Sequence, residues 1–65
     1  MAQVIDKTIE LDLTNVNGNA YAIMGSFSKQ ASREGWTKDE IDKVLDEAKT
    51  GDYDHLLQTI IAHTN

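Results

Sequence analysis

With 65 residues, no cysteine, no proline and a formal charge of −5, the chain has room for one small domain and no disulfide to staple it. A core of this size supplies only about 3–5 kcal/mol, which makes a partner subunit or a bound ligand the expected source of further stability. The 40% hydrophobic content excludes a disordered tail, no apolar run nears the roughly 18 residues that cross a bilayer, and the first residues lack a signal-peptide layout; a cytoplasmic protein with no membrane partner is expected.

From Ile5 onward, Ile5, Ile9, Leu11 and Leu13 alternate with Asp6, Thr8, Glu10, Asp12 and Thr14. This two-residue period predicts a β-strand with one buried face, firm over residues 8–14, with Lys7 interrupting the apolar side. Asn15, Asn17, Gly18 and Asn19 then make a turn cluster, and everything downstream has helical spacing.

A first helix is predicted over about residues 18–34, with Asn17 as its N-cap and Ala20, Ile23, Met24, Phe27 and Ala31 as its core stripe. Gly35 suits the left-handed residue that ends many helices. Thr37 and Glu40 form a capping-box pair, and Trp36 with Ile41 occupies the hydrophobic-staple positions, which together predict a helix over about residues 38–49. Its inner face is Ile41, Val44, Leu45 and Ala48, and Gly51 supplies the stop. Asp52 caps a third helix over about residues 53–63, packed through Leu56, Leu57, Ile60 and Ile61.

The expected fold is therefore α+β but mostly helical, one N-terminal β-strand followed by three short α-helices. A lone strand leaves both edges unpaired, so pairing with the same strand of a second copy, as a homodimer or higher homo-oligomer, is the economical arrangement. Ile9, Leu11 and Leu13 would line that interface. The far side of the first helix carries Tyr21, Gly25, Ser28 and Ser32 at i, i+4, i+7 and i+11, a stripe that either receives another helix or faces solvent.

Charge is unevenly placed. Residues 1–33 balance three acids with three bases, whereas residues 34–65 set eight acids against three lysines and hold the whole −5. A field of that sign repels phosphate backbones and argues against direct nucleic-acid binding. Asp39, Asp42 and Asp46 share one side of the second helix, with Glu47 beside them. That face either docks on a basic surface or simply keeps a small protein soluble.

The Asn17-Gly18-Asn19 turn opens a helix whose free N–H groups could hold an anionic, nucleotide-like ligand, although capping explains the same residues without one. In Asp52-Tyr53-Asp54-His55, Asp52 reads as a cap and Asp54 as a first-turn acid. His55 and His63 are eight residues apart, about 12 Å along a helix, too far to share a metal. No cofactor, no metal and no catalytic group is expected, and the chain reads as a non-enzyme.

The stretch Asn17-Gly18-Asn19-Ala20-Tyr21, then Met24-Gly25, then Gly51-Asp52-Tyr53-Asp54-His55-Leu56-Leu57, resembles a group of small proteins encoded by bacteriophages and prophages. Those proteins run from a short strand through a "GNA plus aromatic" helix start to an "SGDY" turn, and the likeness covers roughly residues 8–61, with Thr50 in place of the usual serine. The resemblance implies a phage setting and carries over no catalytic or binding residue. Within it, the expected role is an inhibitor or modulator of a host protein, such as a component of antiviral defence. A ligand sequesterer and a structural phage accessory protein are the alternatives.

Overall fold

The computed structural model describes residues 3–13 and 18–65. Its elements are three helices, α1 (Ala20–Arg33), α2 (Lys38–Ala48) and α3 (Tyr53–Ala62), each packed on the other two, with the α2–α3 pair in closest association. No strand is present among the described residues, so the fold is all-helical and the expected α+β class is corrected.

The reason lies in how residues 3–13 are held. Ile9 makes one isolated parallel bridge to Thr64 at the end of the same chain: its N–H donates to the His63 carbonyl at 2.9 Å, and its carbonyl accepts from the Asn65 N–H at 2.8 Å. On the other edge, the Glu10 N–H donates to the Glu34 carboxylate at 2.8 Å. Ile9 on one edge and Glu10 on the other are thus bonded within the chain, the first by the C-terminal turn and the second by a side chain. The unpaired strand that motivated pairing across a homodimer does not exist in this arrangement.

The two-residue alternation does describe which way the side chains face. Ile9 is fully buried and Ile5, Leu11 and Leu13 are half-buried, while Asp6, Thr8, Glu10 and Asp12 are exposed. Residues 3–13 form an apolar-faced strap laid over the open end of a three-helix bundle. Thr14 and Asn17 lie outside the described residues.

The helix starts follow their caps. Asn19, and not the expected Asn17, stands at the N-cap of α1, its side chain accepting from the Tyr21 N–H at 2.8 Å, so the helix begins at Ala20. The capping box before α2 is complete: the Thr37 hydroxyl accepts from the Glu40 N–H at 3.2 Å, and the Glu40 carboxylate accepts from the Thr37 N–H at 2.8 Å. The staple residues Trp36 and Ile41 are both buried. Asp52 caps α3 by accepting from the His55 N–H at 3.0 Å. These side chains satisfy one of the orphan N–H groups at the start of α1, two at the start of α2 and one at the start of α3.

Gly35 has φ +91°, the left-handed conformation that lets Trp36 fold back and donate its N–H to the Ala31 carbonyl at 3.0 Å. Gly35→Ala is expected to cost about 1–2 kcal/mol, because a Cβ there meets the following carbonyl. Thermal denaturation checks it, with a fall in Tm of roughly 4–8 °C per kcal/mol in a domain this small.

The core comprises Ile9 from the strap, Ile23, Phe27 and Ala31 from α1, Trp36 from the turn before α2, Ile41, Val44 and Ala48 from α2, and Leu56 and Ile60 from α3. Two polar residues are fully buried with them, Thr59 and His63. The Thr59 hydroxyl donates to the His55 carbonyl at 2.8 Å, so its burial leaves no hydrogen bond unmade. Ile61, expected in the packing of α3, is instead 55% exposed, and His63 takes the inward position in its place. Phe27, Trp36 and His63 form a triangle of edge-to-face rings with centroids 5.6, 6.5 and 6.4 Å apart.

Candidate functional site

The acidic side of α2 carries Asp39, Asp42 and Asp46 at i, i+3 and i+7. Asp39 and Asp46 are exposed and Asp42 is half-buried. They ride on a helix whose opposite face, Ile41, Val44 and Ala48, is locked into the core, so their spacing is rigid. Asp42 accepts from Lys38 at 3.2 Å, an i,i+4 ion pair in which the lysine is 89% exposed and the net gain is small. Glu47 leaves this group: its carboxylate turns toward α3 and meets His55 Nε2 at 2.8 Å and the Thr50 hydroxyl at 3.2 Å.

Thr50, His55 and Glu47 bring a hydroxyl, an imidazole and a carboxylate together, which invites a comparison with a nucleophile relay. The geometry does not provide one. His55 Nε2 serves every partner, the Glu47 carboxylate at 2.8 Å, the Glu47 carbonyl at 3.0 Å and the Thr50 hydroxyl at 3.3 Å. A relay needs one ring nitrogen on the nucleophile and the other on the orienting acid. The Thr50 hydroxyl also donates to the Glu47 carbonyl at 2.7 Å. The cluster closes the α2–α3 turn, and Gly51 permits it: a Cβ at that position would lie 2.8 Å from the His55 Cβ.

Of the residues expected at an oligomer interface, Ile9 is in the chain's own core. Leu11 and Leu13 line a shallow groove with Ile61, rimmed by Glu10, Asp12, Thr64 and Asn65. On α1, Tyr21 is 80% exposed, Gly25 and Ser32 are exposed with open space where a Gly25 Cβ would stand, and Ser28 is half-buried. The stripe is an outer surface of the bundle, with its long axis along α1.

Of the expected ligand turn, Asn17 lies outside the described residues. Asn19 spends its carboxamide on the Tyr21 N–H, which is a donor an anion would use, and the Gly18 carbonyl accepts from the Tyr53 hydroxyl. The turn is tied down by its own chain.

His63 is the polar residue that sequence reading underrated. It lies at i+7 from Leu56 and i+3 from Ile60, on the same inward stripe, and that spacing is the signal that would have found it. Among the described residues no buried side-chain polar atom lacks a partner, and no group of three or more His, Cys, Asp or Glu side chains could hold a metal ion. No helix there is long and apolar enough to cross a membrane. Comparison of the chain with protein-family models, with curated proteins and with solved structures finds no match.

Proposed function

We propose that the chain is a non-enzymatic binding protein that docks the acidic side of α2 on a basic surface of another protein, inhibiting or modulating it. The phage-like motifs suggest a host protein as the target. The observation that carries the reading is the presentation of Asp39, Asp42 and Asp46 on one rigid helix, with Glu47 diverted to the α2–α3 turn. Three carboxylates at fixed spacing favour cationic partners, steer their approach and lose strength with added salt.

The test is charge reversal. Asp39→Lys, Asp42→Lys and Asp46→Lys together are expected to keep the helical circular-dichroism spectrum, since none of the three is buried, and to reduce salt-sensitive capture of a bacterial target by tenfold or more. Capture that is unchanged by the reversal eliminates this face as the contact. A thermal-shift screen against nucleotides addresses the ligand-binding alternative, because a specific ligand raises Tm with its saturation.

A further inference from the structure

We infer that residues 3–13 are an acid-released strap, gripped by His63, Glu34 and Glu40 only while the imidazole is neutral and the two carboxylates are ionised. The inference concerns the fold's own closure and stands apart from the acidic docking face.

The geometry at His63 fixes the ring's hydrogen-bonding roles. Nδ1 lies 2.7 Å from the Thr59 carbonyl, which can only accept, so Nδ1 carries the proton. Nε2 is then the acceptor for the Val4 N–H at 3.0 Å and for the Ile5 N–H at 3.4 Å. An imidazolium donates from both nitrogens, so a second proton sets N–H against two backbone N–H groups in a fully buried position. The strap must then leave or the ring must turn. Turning is opposed by the Thr59 carbonyl and by the rings of Phe27 and Trp36, packed edge-on.

The groups facing the imidazole are the Val4 and Ile5 amides from the strap, the Phe27 ring from α1, the Trp36 ring ahead of α2 and the Thr59 carbonyl from α3. Lys7 lies one ring away, its ammonium 5.9 Å from the Trp36 centroid, and is paired with Glu40 at 2.6 Å. That pair is the second tether. The third is Glu34, which accepts the Glu10 N–H and is itself steadied by the Gln30 amide at 2.8 Å.

Both carboxylates are held below the ordinary value of 4.5, Glu34 first by the Gln30 side chain and then by the Glu10 N–H, Glu40 first by Lys7 and then by the Thr37 N–H. A lowered carboxylate stabilises the docked strap fully above 4.5, and that contribution disappears as pH falls through the folded-state value. At His63 the requirement is geometric, since the docked strap needs an Nε2 that accepts. A proton added at any of the three tethers therefore acts in one direction, toward release of the strap.

The helices have other supports, the Asn19, Thr37 and Asp52 side-chain caps and the packing of Ile23, Phe27, Val44, Leu56 and Ile60. Trp36 is the single tryptophan and lies 8% exposed beneath Lys7, so its fluorescence reports the strap while far-ultraviolet circular dichroism reports the helices. On acid titration, the Trp36 emission is expected to shift to the red about one pH unit or more before helicity falls. Over the same range, the Ile9 and Asn65 amides should exchange at least tenfold faster relative to those of Val44 and Ile60.

In His63→Gln combined with Glu34→Gln and Glu40→Gln, each side chain keeps an acceptor but can no longer gain a proton, and the early emission shift is expected to vanish. Should that variant fail to fold, Glu34→Gln with Glu40→Gln alone must move the midpoint of the early shift. Emission and helicity that fall together in the unsubstituted protein overturn the inference. So does an early shift whose midpoint moves in neither variant.

Discussion

Replacing Ile9 with alanine is expected to remove about half or more of the fold's stability, a loss that does not shrink as protein concentration rises. Ile9 is fully buried among residues of its own chain. Truncating a buried isoleucine costs about 2–5 kcal/mol, against a total of about 3–5 kcal/mol for a domain of this size. Concentration decides what the loss means. Were Ile9 an interface residue between two copies, raising the protein concentration would restore stability by mass action; as a core residue it gains nothing from that. Urea denaturation at protein concentrations spanning two decades separates the two.

Phe27→Ala is expected to be at least as damaging, at about 3–5 kcal/mol. Phe27 is the largest fully buried side chain, and it packs edge-on against both Trp36 and His63. Its loss leaves a cavity between α1 and the two rings that order the strap. Phe27→Leu keeps most of the volume and loses the ring contacts, so it should retain a cooperative transition at reduced stability. A Phe27→Ala protein with an unfolding free energy close to the parent's contradicts the placement of the core at this triangle.

The three helices were legible because their signals are local. Thr37 with Glu40, Gly35 with its positive φ, Asp52 before the third helix, and the stripes through Ile23, Phe27, Val44 and Leu56 each need only a few neighbouring residues to be read. The strap was half legible. Alternation over Ile5 to Leu13 reports correctly that one side faces the core, but side-chain polarity carries no information about where backbone N–H and carbonyl groups go. Their partners are His63, Asn65 and the Glu34 side chain, all remote in sequence.

The start of α1 was misplaced for a related reason. Asn17, Gly18 and Asn19 all have capping chemistry, and only tertiary geometry selects Asn19. Glu47 shows the limit at the candidate site. On a helical wheel it belongs with Asp46, yet the α2–α3 turn brings His55 to it and removes it from the outer face. Asp39 and Asp46 are exposed on α2, and Asp42 is half-buried beside them.

The junction between Ile9 and residues 63–65 also has a kinetic meaning. The α1–α2 and α2–α3 pairs join consecutive segments, whereas the Val4–His63 contact closes a span of 59 residues. Closing a long span loses chain entropy before any contact rewards it, so this junction forms after the helical hairpins. Interactions absent from the folding transition state govern the rate of unfolding and leave the rate of folding nearly untouched. The strap residues thus set the lifetime of the folded chain, while the helices set how quickly it is reached.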